Sequence, residues 1–204
     1  VSGTFNYTVT STGGCGPVST NGTITVNPKP DVTATPSSQS LCSGAIITPI
    51  LMSGTVGGTA FNWTRDQVGI IGGSIPASGS GNITGNLVNN TGSPVTVTFT
   101  VTPTANGCTG TPVTATVTVN PLPLAIISGG GTTVHCAGSN PVLSATPDPN
   151  YTYAWGRSLF TNPFTAMGTA QTQVITNSGN YLLTVTNQYG CFDTAMTTVL
   201  VADY

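Results

Sequence analysis

Apolar and polar residues alternate with a period of two along much of this chain. Between Pro94 and Pro123, Val95, Val97, Phe99 and Val101 interleave with Thr96, Thr98, Thr100 and Thr102. Val113, Ala115, Val117 and Val119 then interleave with Thr114, Thr116, Thr118 and Asn120. Successive side chains of a pleated strand point to opposite faces, so each segment predicts a strand with one apolar face and one threonine face. The turn formers between them, from Pro103 to Gly110, predict a hairpin loop. The same unit recurs twice more. Phe5, Tyr7 and Val9 alternate with Asn6, Thr8 and Thr10 ahead of Cys15, Ile24, Val26 and Asn27-Pro28. Tyr181, Leu183 and Val185 lead through Asn187 to Cys191 and the apolar run from Met196 to Val201. Cys15 stands at the same distance from Asn27-Pro28 as Cys108 does from Asn120-Pro121, a coincidence that duplication explains better than chance.

No segment keeps a 3.6-residue period, and β-branched residues dominate the periodic parts, so the chain reads as all-β. Residues 1–28 hold two strands and a loop. An isolated hairpin is marginal in water, so this piece is expected to be the last hairpin of an incomplete repeat. Pro28-Lys29-Pro30 and Pro121-Leu122-Pro123 sit at equivalent places and predict short, stiff boundaries, because proline lacks a ladder donor and restricts the residue before it. They divide the chain into the hairpin, a complete domain over 29–121 and a second over 122–204. Strands are expected at 31–35, 45–52, 59–65, 69–71, 82–88, 95–102 and 113–120 in the first domain. In the second they are expected at 124–127, 142–145, 152–156, 172–175, 180–187 and 194–201. About seven short strands between Gly, Pro, Ser and Asn turns are what an immunoglobulin-type β-sandwich requires, and tandem sandwiches with short linkers predict a rod-like array. The last strand carries apolar residues on both faces, Met196 and Leu200 against Val199 and Val201, which leaves its register open.

Charge narrows the function. Charged residues make up 4% of the 204 residues, against about 25% in ordinary soluble proteins. Three cations, Lys29, Arg65 and Arg157, are too few to neutralise a useful number of phosphates, which argues against nucleic acid as a partner. No apolar run approaches the roughly 18 residues that span a bilayer. The first residues read as strand rather than signal peptide, so an export signal is expected elsewhere. Disorder is excluded, because 38% hydrophobic residues in regular alternation can bury a core.

The five cysteines fall at two recurring positions. Cys42 and Cys136 precede an apolar strand; Cys15, Cys108 and Cys191 lie in the hairpin loops. Pairing Cys42 with Cys108 and Cys136 with Cys191 gives one bridge per repeat and leaves Cys15 unpaired. Each bridge would contribute about 4 kcal/mol in the chain-entropy model. The two turns concerned lie at opposite ends of a standard sandwich, so a bridge from Cys42 to Cys191 is the alternative. Metal ligation lacks a Cys-x-x-Cys or a nearby histidine, and disulfides point outside the cytoplasm. Trp63 and Trp155 each follow the first cysteine of their repeat by about 20 residues and read as core tryptophans on a third strand.

The succession Cys42-Ser-Gly, Asn62-Trp-Thr, the Thr98–Thr109 stretch and Thr116–Pro123 resembles the PKD-like and Ig-like repeats of large secreted surface proteins in Bacteroidota. The resemblance covers nearly the whole chain. It implies stalks of surface adhesins exported by the type IX route, and with them an O-glycosylation motif that Asp193-Thr194-Ala195 fits, making Thr194 an expected acceptor.

Catalytic chemistry has few candidates. His135 is the one histidine and adjoins a cysteine expected to be oxidised. Asp31, Asp66, Asp148, Asp193 and Asp203 are scattered, and there is no glutamate, whereas glycosidase or calcium sites need clustered carboxylates. Gly129-Gly-Gly131 precedes neither a helix nor a lysine and is no phosphate cradle, so no cofactor is expected. Asn-x-Ser/Thr sequons occur at Asn6, Asn21, Asn62, Asn82, Asn89 and Asn150. So few charges leave sheet edges without their usual guards against strand pairing. The expectation is a non-catalytic repeat segment of an extracellular fibre or cell-surface adhesin stalk, with neighbouring repeats or copies of itself as partners and hairpin complementation as a route to assembly. The alternative is a glycan-binding accessory module that contacts surface polysaccharide through Tyr151, Tyr153, Phe160 and Phe164.

Overall fold

The computed structural model describes residues 1–69, 71–131, 134–159 and 163–202. All the regular elements among them are strands, so the protein is all-β. The chain divides into two compact units, Val1–Val88 with Thr96–Thr118, and Asn89–Val95 with Val119–Tyr204.

The first twelve strands are β1 (Gly3–Ser11), β2 (Val18–Val26), β3 (Thr33–Thr35), β4 (Ser38–Cys42), β5 (Leu51–Ser53), β6 (Ala60–Arg65), β7 (Ile71–Gly73), β8 (Ser78–Ser80), β9 (Leu87–Asn89), β10 (Val95–Ala105), β11 (Cys108–Thr109) and β12 (Val113–Asn120). The main sheet runs β4-β12-β10-β6-β8, with β11 also on β10. Two small sheets, β3-β5 and β7-β9, together with bridges Ile46–Asn86 and Ile50–Ile83, make up the rest. Asn106 and Gly107, with φ of 50° and 77°, turn β10 into β11, an Asn-Gly pair being suited to a turn that needs positive φ at both positions. Alternation in β10 resolves as the sequence predicts. Val97, Phe99 and Val101 are buried, and Thr96 on the other face lies 3.0 Å, hydroxyl to hydroxyl, from Thr118 of β12. Trp63 on β6 meets Phe99 edge to face, with centroids 5.7 Å apart. The buried residues outside the main sheet are isoleucine-rich: Ile47, Ile50, Ile71, Ile75, Ile83 and Leu87.

The remaining strands are β13 (Ile127–Ser128), β14 (Val134–Cys136), β15 (Val142–Ala145), β16 (Thr152–Ser158), β17 (Thr165–Gly168), β18 (Thr172–Val174), β19 (Gly179–Thr186) and β20 (Phe192–Ala202). They form a five-stranded sheet, β14-β20-β19-β16-β17, and a three-stranded sheet, β13-β15-β18. Leu143, Ala145, Trp155, Ile175, Tyr181, Leu183, Val185 and Val199 close the core. The register of β20 is settled by its pairing with β19. Val199 is buried, while Met196, opposite Leu182, is exposed.

Two expected strands are shorter than the sequence implies. Residues 45–52 contribute β5 and two isolated bridges, because Pro49 supplies no ladder donor. Residues 82–88 reduce to the bridges at Ile83 and Asn86 and the start of β9.

Candidate interaction surface

The ribbon β1–β2 is the least covered part of the molecule. Its register pairs Phe5 with Ile24, Tyr7 with Gly22 and Gly3 with Val26, which gathers the apolar side chains on one face. Thr8 and Asn21 pair on the other face, the threonine hydroxyl donating to the Asn21 Oδ1 at 2.7 Å. The Tyr7 ring lies over Gly22, where a Cβ would sit only 2.4 Å from it. Phe5, Tyr7, Val9, Val18, Ile24 and Val26 are all exposed, by 43% to 71%. The ribbon joins the rest of its unit through Asn27, whose amide donates to the Asn106 carbonyl at 2.9 Å, and Lys29, whose ammonium donates to the Thr111 hydroxyl at 3.0 Å.

The few charges hold backbone in place. Arg65 is buried; its Nε donates to the carbonyls of Ile75 and Pro76, and its Nη2 to that of Ile71. The parity of Phe61, Trp63 and Arg65 along β6 already points Arg65 inward. Asp66 accepts from the Thr98 amide at 2.7 Å, and Arg157 donates twice to the Ser178 carbonyl. The Asp31 carboxylate accepts from the amide and the hydroxyl of Thr55, which together hold its pKa below the usual value. Burial pushes the Tyr181 phenol up, and the phenol donates to the Asn177 carbonyl. Among the described residues, no three His, Cys, Asp or Glu side chains gather as metal ligands would.

The cysteine pairing differs from the expectation of one bridge per repeat. Cys42 and Cys191 are each disulfide-bonded, whereas Cys15, Cys108 and Cys136 carry free thiols. Cys42–Cys108 and Cys136–Cys191 are therefore not formed. Topology gives the reason in the second unit. β14 lies parallel to β20 with Cys136 beside Ala202, while Cys191 precedes the first residue of β20. The two sulfurs thus sit at opposite ends of a strand whose ten steps cover roughly 33 Å, far beyond the roughly 7 Å that a disulfide spans between Cα atoms.

The aromatic candidates do not form an exposed platform. Tyr151 and Tyr153 are half-buried against the core of the second unit, and the Tyr153 hydroxyl donates to the Thr146 carbonyl while accepting from the Asp148 amide. Phe164 is half-buried with its Cβ over Gly156. Phe160 lies outside the described residues. The tryptophans take the expected core positions but differ in one bond. The Trp155 indole N–H donates to the Ala170 carbonyl at 2.9 Å, and the buried Trp63 N–H has no partner among the described atoms. A cavity of about 400 Å³ opens beside Arg157, Leu159, Met167, Asn177 and Tyr181.

Of the sequons, Asn6, Asn21, Asn62, Asn82 and Asn150 are exposed, as is Thr194. Asn89 is a correction. It is buried, its amide donates to the carbonyls of Ser93 and Val119 at 2.8 Å each, and its Oδ1 accepts from the Thr91 amide and hydroxyl. A glycan on that nitrogen would replace one of the two donated hydrogens and have to fit a buried site, so Asn89 is a structural clamp. Asn187 plays the same part in the last repeat, donating to the Pro121 carbonyl and accepting from the amides of Tyr189 and Cys191. Both were missed as clamps in the sequence because asparagine is at home in any turn.

Residues 34–123 match the PKD-like domain family. No curated protein matches the chain. Among solved structures, DIP-gamma IG1+IG2 is similar at 9% identity and a TM-score of 0.39, over 87% of this chain and 99% of that one. The tandem Ig repeats of Dlar are similar at 15% identity and 0.28, over 86% and 99%. Mouse cadherin-23 EC22-24 is similar at 10% identity and 0.37, over 98% and 74%. Residues 34–123 are thus similar to a PKD-like domain within an all-β chain.

Proposed function

We propose that this chain is a non-catalytic repeat segment of an extracellular fibre or cell-surface adhesin stalk, of the kind carried by large secreted surface proteins of Bacteroidota exported by the type IX route. Length, stiffness and resistance to proteolysis are its work, and its partners are neighbouring repeats or copies of itself. The observation that carries this reading is the threefold recurrence of one cysteine-tipped ribbon, its apolar face bare on β1–β2, buried on β10–β12, and buried along β19 and at Val199 of β20. A disulfide at Cys42 and Cys191 supports an oxidising, extracellular setting. The contacts of Arg65, Asp66 and Asp31 support it too, since each of these side chains ties down backbone. Exposed Thr194 and the five exposed sequon asparagines are the places where glycans would keep so uncharged a surface soluble.

Electron microscopy of the native assembly tests the reading. Rods or filaments with a periodicity of one repeat are expected; compact particles would overturn it. A polysaccharide panel tests it from the other side. Negligible binding, unchanged in Tyr151→Ala, Tyr153→Ala and Phe164→Ala variants, is the expected result. Saturable binding lost in those variants would replace the stalk with a glycan-binding module.

A further inference from the structure

The ribbon β1–β2 has a register-matched copy inside the same molecule, and that copy shows what its apolar face is built to meet. Aligning the loops at Cys15 and Cys108 sets Gly22, Ile24 and Val26 on Ala115, Val117 and Val119, and, with one residue fewer between β1 and Cys15 than between β10 and Cys108, Phe5, Tyr7 and Val9 fall on Val97, Phe99 and Val101. The cross-strand geometry agrees, since Thr4 pairs with Thr25 on β1–β2 just as their counterparts Thr96 and Thr118 meet hydroxyl to hydroxyl. In the copy every one of these apolar positions is fully buried, whereas on β1–β2 the large ones are 43% to 56% exposed. The copy is also flanked on both edges, β10 by β6 and β12 by β4, while β1 and β2 pair only with each other. Two open edges and one bare apolar face, all of which are closed in the copy, define what a partner of this ribbon has to supply.

We infer that β1–β2 is a docking ribbon for the front portion of a repeat of this same kind: an isoleucine-rich layer facing the ribbon, plus a tryptophan-bearing strand that pairs antiparallel with β1 as β6 pairs with β10. Charge agrees with this partner. The ribbon from Val1 to Asn27 carries no charged side chain, so its affinity must come from apolar burial and ladder bonds. The inference rests on the repeat-segment reading and names the partner of its open end.

The test joins a second copy of residues 29–92 to Val1 in the full chain, so that the ribbon receives the strands that precede β10 in the first unit. Hydrogen exchange of the β1–β2 amides is then measured with and without the addition. Slowing of at least ~100-fold across both strands is expected, because a ribbon buried in a sandwich opens only with its domain. The slowing is expected to vanish in Phe5→Asp and Ile24→Asp variants that leave the exchange of β10 and β12 unchanged. Exchange in β1–β2 as fast as in the unextended chain would overturn the inference. So would concentration-dependent dimerisation of the unextended chain that the same variants abolish, because a second ribbon would then be the occupant. A hydrophobic dye gives a readout that does not need the added segment to fold: the unextended chain should bind it, and the Phe5→Asp variant should not. Glycan binding would remove the stalk reading and leave the exchange result standing, so the two failures are distinguishable.

Discussion

The ribbons β1–β2 and β10–β12 share sequence pattern, cross-strand register and a cysteine at the tip, yet one is bare and the other lies at the centre of a sheet. Phe99 is fully buried against Trp63, and its counterpart Tyr7 is 47% exposed over Gly22. Local pattern therefore suffices to specify a ribbon with one apolar face, but says nothing about whether that face is covered. The small residue at position 22 is informative here. An aromatic ring laid over a cross-strand glycine shields part of itself, and the same place in the buried copy holds Ala115, where packing comes from other strands.

The comparison breaks most sharply if truncation of the two aromatics has equal effect. Phe99→Ala should lower the unfolding free energy by about 3–5 kcal/mol, and Tyr7→Ala by less than about 0.5 kcal/mol, both measured by urea denaturation. Equal losses would mean that β1–β2 is covered in solution.

The oxidised cysteines give the next largest effect. Reductant, or Cys42→Ser, should cost about 2–4 kcal/mol. Alkylation of the untreated chain should label Cys15 and Cys136 quickly and Cys108 more slowly, and should leave Cys42 and Cys191 unlabelled until reduced. Peptide mapping by mass spectrometry reads this directly, and label on Cys42 would contradict the structure.

The two tryptophans sharpen the comparison between repeats. Trp155→Phe removes a donor from the Ala170 carbonyl and should cost roughly 1–2 kcal/mol more than Trp63→Phe, whose indole N–H has no partner to lose. The reverse order in thermal unfolding would show that the Trp63 N–H is bonded in solution.

The smallest effect concerns Asp31. Bonds from Thr55 depress its pKa in the fold, so its contribution is present above the ordinary carboxylate pKa and is lost as pH falls through the depressed one. NMR titration of the Asp31 carboxyl should give a midpoint below that of an unstructured aspartate, and Thr55→Ala, which removes the hydroxyl donor, should raise it.

Legibility followed position in the sheet. The strands flanked on both sides in the two main sheets were readable from alternation, because a strand with one buried face must place its apolar residues two apart. The strands that went unread are β4, β8, β14 and β17, the two outer strands of each main sheet, and the two-residue β11 inside the expected loop. Ser78–Ser80 and Thr165–Gly168 illustrate why. An edge strand is short, meets a neighbour on one side only and buries little, so its residues carry no period to read. The buried clamp at Asn89 escaped for a related reason, since a sequon and a side chain that ties two carbonyls look the same in one dimension.

By itself the sequence determined the all-β class, the repeating ribbon with a loop between Pro103 and Gly110, the core tryptophans and the paucity of charge that argues against nucleic acid. Each of these depends on residues near one another in the chain. Tertiary structure alone decided which cysteines are oxidised, which face of β20 turns inward and which copy of the ribbon is buried. These depend on where distant strands lie, and β20 shows the physical reason: with apolar residues on both faces it can satisfy either register until β19 and β14 pair with it.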